Sequence, residues 1–305
     1  MSSRLLFTLC TAVFIFFAPV LSASASSPHD TDASPRLAIV LASFGSTVKE
    51  AQDVEAAFVQ ETKKRYPEAR VVLANTARMV MAKNAKAGIH VPSLFRALAD
   101  LADEGYTHVA VQSIQVLPGA EFDGMSTVAL AQESLPKGLT KISMGVPLLA
   151  SNEDLGKTAD ALLASLPKDR KTQDPVVFVG HGTHHGPGGM IYPALQWHLS
   201  MRDAKIFVST IEGTPDQETT LKLLGKAPDK NSRIWVAPLL ALAGDHAVND
   251  LYGDEEDSWK NILHKQGWQV KKSFQPLLAI PDLQEIWFAH LDAALDALGP
   301  LGKGK

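Results

Sequence analysis

Three side chains in the second half of the chain are of types that can together bind a divalent transition ion: His181, Glu212 and His246. Each stands just beyond a short apolar run. His181 follows Val176-Val177-Phe178-Val179 within Gly180-His181-Gly182-Thr183, Glu212 follows the run 206–209, and His246 lies beyond the run ending at Pro238, within Ala243-Gly244-Asp245-His246. Two imidazole nitrogens and one carboxylate oxygen suit Co, Fe, Ni or Zn and leave coordination positions open for a substrate. Any one of these residues alone reads as a polar surface group; three converging on one rim read as a site. Gly180 and Gly182 are expected to let the backbone approach a ligand closely. His184 and His185 either support this set or belong to a solvated turn. His198 is expected to pack or cap, and His90, His108, His264 and His290 to be structural or exposed. Asp245 either orients His246 or is simply solvated. The run Asp254-Glu255-Glu256-Asp257 is expected at an exposed helix N-terminus, where the helix dipole favours it.

The elements that must position these residues alternate regularly. Leu37-Ala38-Ile39-Val40-Leu41 is a continuous apolar run, as expected of a strand buried on both faces, and it ends in the small-residue turn Ala42-Ser43-Phe44-Gly45-Ser46. A helix pattern follows over 49–65, then a strand at 71–74, a helix around 93–102, a strand at 108–113, a helix from about Glu121 and a strand at 142–146. The second half repeats the plan with strands at 175–179, 206–209, 234–238 and 268–270. The best internal match sets residues 72–78 against 207–212, with Thr76 and Thr210 each just past a strand and a charged residue, Arg78 or Glu212, two positions on. This alternation predicts an α/β fold of two similar doubly wound parallel-sheet domains, 37–150 and 151–300, facing a central cleft. In open sheets of this kind ligands bind beyond the carboxyl ends of the strands.

Composition agrees. The chain has 305 residues, 46% hydrophobic and 20% charged, which fits an ordinary globular enzyme and excludes a disordered or fibrous protein. With 29 Lys+Arg against 33 Asp+Glu, the net charge of -4 supplies no basic field for nucleic acid. Gly186-Pro187-Gly188-Gly189 lacks nucleotide-loop spacing, and no G-x-S-x-G elbow is present.

The N-terminus reads as an address. Arg4 precedes an apolar stretch, 5–21, which is followed by Ala23-Ser24-Ala25. A charged start, an apolar middle and a small-residue site describe a secretory signal peptide, 1–25, with a polar leader at 26–36. The expected location is periplasmic, with no membrane association after cleavage. Cys10, the single cysteine, would leave with the signal, which excludes thiolate catalysis and Cys-ligated metal.

Taken in order, Phe44-Gly45-Ser46, Ser113-Ile114-Gln115-Val116-Leu117-Pro118-Gly119-Ala120-Glu121-Phe122, Val179-Gly180-His181-Gly182-Thr183, Glu212-Gly213 and Gly244-Asp245-His246 resemble the CbiK-type sirohydrochlorin cobaltochelatases. These are class II tetrapyrrole chelatases related to ferrochelatase, and the resemblance runs over 37–298. It implies two α/β domains with a tetrapyrrole cleft between them, and it places the family's His-Glu-His metal set on His181, Glu212 and His246. The acidic residue of the family's P-G-x-E segment falls on Glu121, and Gly45 and Ser46 fall at the cleft. The implied reaction inserts Co2+, or Fe2+, into sirohydrochlorin. His181 then serves as ligand and general base, His246 stands opposite, Glu212 neutralises charge, and Glu121 accepts a proton from the other domain. Arg78 is a candidate for binding the ring's peripheral carboxylates. The resemblance calls for no cofactor beyond the substrate metal and implies a homo-oligomer. Gln115 departs from the pattern, since many members carry a His there and an amide is no base. The competing class is a non-catalytic periplasmic protein that binds or transports a metal or tetrapyrrole.

Overall fold

The chain builds two four-stranded parallel sheets of the same topology. The computed structural model describes residues 34–303 apart from 134, 185 and 274, and side chains at 245–247 and 303 are not among those described. The expected signal segment and the leader as far as residue 33 lie outside the described residues. The first half runs β1 (Leu37–Ser43), α1 (Lys49–Arg65), β2 (Arg70–Asn75), α2 (Arg78–Lys86), α3 (Leu94–Asp103), β3 (His108–Ser113), α4 (Ala120–Leu130) and β4 (Lys141–Gly145). The second runs α5 (Asn152–Ala164), β5 (Val176–Gly182), α6 (Ile191–Ser200), β6 (Ile206–Glu212), α7 (Gln217–Leu224), β7 (Arg233–Pro238), α8 (Asp245–Tyr252), α9 (Trp259–Lys265), β8 (Gln269–Lys272) and α10 (Pro281–Ala297). Sheet orders are β2-β1-β3-β4 and β6-β5-β7-β8. The α/β architecture is as the sequence predicts.

Strand alternation sorts the apolar runs between cores. In β1, Ala38, Val40 and Ala42 pack outward against Leu94, Leu98 and Leu101 of α3 and Met125 of α4. Ile39 and Leu41 face the other way, into a central core with Phe58 of α1 and Trp287 of α10. In β5, Val177 and Val179 pack with Leu251, Tyr252, Trp259 and Leu263 of α8 and α9. Val176 and Phe178 enter the same central core as Ile39 and Leu41. The core between the sheets is therefore common to both halves.

The last helix joins the halves: α10 crosses back from the second half to lie on β3 and β4 of the first, while α5 packs on α6 within the second. Phe58 stacks on Phe288 at 4.9 Å and meets the edge of Trp287 at 6.4 Å. His198 bridges α6 to the start of α5 through Asn152, at 3.0 Å, which fits its expected packing role. Helix starts follow the local chemistry: Ser93, Ser151, Asp216 and Ser258 accept hydrogen bonds from the exposed backbone N–H groups of α3, α5, α7 and α9. The acidic run 254–257 is exposed and lies just before α9. Among the described residues no helix is long and apolar enough to cross a membrane.

Candidate active site

In each sheet the connection leaves the first strand in one direction and returns in the other. The crevice between β1 and β3, and that between β5 and β7, are therefore the points where the strand order reverses. Four segments form their lips: 44–46 after β1, 114–119 after β3, 183–184 with 186–190 after β5, and 239–244 after β7.

The first-half lips are rigidly tied. Gly45 has φ +84°, and a Cβ there would fall 2.8 Å from Cγ of Asn75, so the turn demands glycine. Its N–H donates to Oγ of Ser43 at 3.1 Å. The Ser46 carbonyl accepts from Nε2 of Gln52 at 2.9 Å and Nδ2 of Asn84 at 3.0 Å. Phe44 is thereby held outward, 53% exposed. Under this turn Glu55 of α1 is buried. Burial pushes its carboxyl above the usual carboxylate range, and a hydrogen bond with the Ser43 side chain works against that rise.

On the β3 side, Oγ of Ser113 accepts from the Gln115 N–H at 3.2 Å and donates to its Oε1 at 3.4 Å. The Gln115 carbonyl accepts from Nε1 of Trp287 at 3.4 Å. Gln115 thus serves as part of the loop's scaffold. Glu121 sits exposed in the first turn of α4, where its Oε1 accepts a hydrogen bond from the Thr76 hydroxyl. Arg78 opens α2 two residues beyond Thr76, exposed and with no ion pair among the described residues.

The lips of the two sheets meet. A Cβ on Gly119 would stand 3.7 Å from Oγ1 of Thr183, and one on Gly188 would stand 3.1 Å from the Pro118 carbonyl oxygen. A Cβ on Gly244 would stand 3.6 Å from Oγ of Ser46. The segment leading into His246 therefore lies against the β1 turn, and the segment after His181 lies against the entry to α4.

His181 and Glu212 differ from the expectation in a specific way. Both belong to their strands rather than to the loops beyond, because the ladder continues as Gly180↔Thr210 and Gly182↔Glu212. Alternation then places His181 on the face of Ile211 and Glu212 on the face of Gly182. Both side chains are exposed. From these positions they can share an ion only past the strand ends, where the sheet no longer separates its faces. His246 occupies the first turn of α8, after Gly244 as N-cap, and its side chain lies outside those described. Among the described residues no three His, Cys, Asp or Glu side chains are grouped to hold a metal. The glycines beside His181 make room for protein, not for a ligand. A Cβ on Gly180 would strike the Tyr192 hydroxyl at 2.5 Å, and one on Gly182 would overlap the Glu212 carbonyl oxygen.

Sequence reasoning passed over two features of this rim. One is Thr76 as the partner of Glu121; only the internal match at Thr76 and Thr210 marked the position. The other is a set of exposed apolar side chains at its margins: Phe44, Met79, Met190 and Ile211. In a sequence these cannot be told from core residues, because exposure is decided by where the strand or helix ends. Two surface cavities, of 610 and 410 Å³, lie instead against α10, away from the lips.

Two four-stranded parallel sheets of like topology whose strand-end lips meet define a class of paired α/β fold. The solved structure of SirB from Bacillus subtilis with Fe3+ shares it, at TM-score 0.60 and 16% identity over 87% of this chain and 98% of that one. CbiX, described as the terminal enzyme for biosynthesis of siroheme in denitrifying bacteria, follows at TM-score 0.51 and 16% identity, over 84% of this chain and 99% of that one. Residues 37–296 match the cobalt chelatase (CbiK) family, and the chain belongs to that family. It is 34% identical to the sirohydrochlorin cobaltochelatase CbiKC of Nitratidesulfovibrio vulgaris, over 85% of this chain and 91% of that protein. It is 28% identical to the sirohydrochlorin cobaltochelatase of Salmonella typhimurium, over 85% of this chain and 96% of that one.

Proposed function

We propose that this protein inserts Co2+ into sirohydrochlorin, releasing the two pyrrole protons as the ion enters the ring. The observation that carries the reading is the meeting of both sheets' switch-point lips, which puts Glu121 on one side and His181, Glu212 and the start of α8 on the other. Together with sirohydrochlorin, the substrate for which its relatives are named, this supports a cleft for a macrocycle between the halves.

In this mechanism His181 and His246 replace water ligands on the incoming ion and Glu212 neutralises part of its charge. Glu121 takes one ring proton from its own side as a general base, and His181 takes the other once the ion has passed to the ring and its nitrogen is free to accept. Arg78 binds a peripheral carboxylate of the substrate. The same nitrogen and oxygen set accommodates Fe2+ as an alternative substrate. We place the reaction in the periplasm, on the charged, apolar and small-residue order of residues 4–25, and in a homo-oligomer, on the family resemblance.

The test is metallation of sirohydrochlorin with Co2+ followed by absorbance. The wild type turns over, and His181→Ala, still folded, does not. Binding of ring and ion without metallation would instead identify a carrier. Glu212→Gln keeps the side chain's shape and removes its charge. Its Co2+ affinity by calorimetry should fall by at least about ten- to a hundredfold, the scale seen for weaker perturbations of metal sites. Sirohydrochlorin binding should hardly change. The opposite pattern would move Glu212 from the ion to the ring.

A further inference from the structure

We propose that Thr76 is a positioning residue for proton removal, its hydroxyl holding the Glu121 carboxylate in the orientation that receives a ring proton. This rests on the reading of Glu121 as a proton acceptor. Glu121 is exposed, in the first turn of a helix whose N-cap, Gly119, offers no side chain. A glutamate in that setting has three side-chain torsions and no packing to restrict them. Among the described residues the one hydrogen bond to its carboxylate comes from Thr76, on Oε1, which leaves Oε2 free to accept a proton.

Thr76 is itself well anchored. Its N–H donates to the Ser43 carbonyl at 2.8 Å, and the N–H of the neighbouring Asn75, 1% exposed, donates to the Pro92 carbonyl at 2.9 Å. The hydroxyl therefore projects from the end of β2 at a position fixed by the end of β1, the strand that borders the switch point. A hydroxyl donating to a carboxylate makes a charge-assisted bond, stronger than a neutral one and directional. It converts a mobile base into one with a defined approach, which is the condition for efficient proton transfer. The corresponding threonine of the second half has another task. Thr210 donates its hydroxyl to the Pro215 carbonyl at 3.0 Å and so closes its own loop. The arrangement at Thr76 is particular to the half that carries Glu121.

The test is a double-mutant cycle on the full-length protein, read by single-turnover metallation and by steady-state kcat and KM. Thr76→Val and Thr76→Ala remove the hydroxyl, and Thr76→Ser keeps it. Loss of one charge-assisted hydrogen bond should lower kcat by about ten- to a hundredfold, with KM for both substrates within about twofold. Thr76→Ser should restore most of the rate. In a Glu121→Gln background, removal of the hydroxyl should cost nothing further. Wild-type kcat in both Thr76→Val and Thr76→Ala would overturn the proposal. So would a full additional loss in the Glu121→Gln background, or a Thr76→Ser variant as slow as Thr76→Ala. If Glu121→Gln alone metallates at the wild-type rate, the Glu121 reading fails and this proposal fails with it. If Glu121→Gln is slow but Thr76→Ala is not, only the present proposal fails.

Discussion

Replacing Gly182 with alanine tests whether the joined ends of β5 and β6 hold the site's geometry. Gly182 has φ +84°, a left-handed conformation that costs an L-residue about 1–2 kcal/mol. The added methyl would also overlap the Glu212 carbonyl oxygen and approach Cβ of Thr210 at 2.8 Å. Neither neighbour can rotate away, so the strand ends must part, and overpacking of this kind costs about 1–3 kcal/mol more. The sum, about 2–5 kcal/mol, is a large share of the 5–15 kcal/mol typical of a folded domain. Gly88 isolates the first contribution, because it has φ +79° but nothing within 4 Å of the position a Cβ would take. Urea unfolding should therefore show a loss of about 1–2 kcal/mol for Gly88→Ala, and a clearly greater loss for Gly182→Ala. Metallation followed by absorbance should be unchanged in Gly88→Ala. It should fall at least about tenfold in Gly182→Ala, since a displacement near 1 Å can cost a hundredfold in rate. A Gly182→Ala protein as stable as Gly88→Ala and as fast as wild type would refute the reasoning.

Two further expectations concern stability. Burial holds the folded-state pKa of Glu55 above its unfolded value of 4.5, so the stability of the wild type is fully present below that value and declines as pH rises through the folded one. Glu55→Gln should flatten this dependence and gain on the wild type from pH 5 to pH 8, by about 1.4 kcal/mol for each pH unit separating the two pKa values; a stability difference that stays constant across that range would contradict it. Trp287, fully buried on α10 between the sheets, should cost about 3–5 kcal/mol when replaced by alanine. Because its core is common to both halves, urea unfolding should remain a single transition; two separate transitions would show that the halves are independent.

The strands were legible because buried parallel strands are continuous apolar runs, and residues 37–41 and 175–179 have no other reading. Their ends were less so. β5 and β6 continue to Gly182 and Glu212, beyond the runs at 176–179 and 206–209, because the ladder is made by backbone groups that polar residues and glycines supply as well as valines do. α2 escaped notice for the opposite reason. Of Arg78–Lys86 only Asn84 is buried, and Ala77 offers no side-chain cap, so neither a periodic apolar stripe nor a start signal marks it. The path of α10 was beyond any local pattern. Its apolar face predicts burial, but only the tertiary fold decides that it lies on β3 and β4.

The candidate site was legible as a set of residue types at strand ends and illegible at the level of which way they point. Strand ends and ordered motifs bring out His181, Glu212, His246 and Glu121 without coordinates. The register between β5 and β6 adds what spacing cannot, that His181 and Glu212 leave their strands on opposite faces. An ion held by both must then lie past the strand ends, at the level of the lips and not within the sheet. Glu121 lies across those lips, on the half that carries none of the other three, and its carboxylate accepts a hydrogen bond from the Thr76 hydroxyl. On the proposed assignment the ion comes from the second half, and one ring proton leaves toward each side, to Glu121 on the first half and to His181 on the second. The two carboxylates are thereby divided between tasks, Glu212 for the positive ion and Glu121 for a departing proton, so ion and proton do not compete for the same carboxylate. On this reading the two switch points have separate tasks, although one sheet alone could supply enough polar side chains to bind a metal.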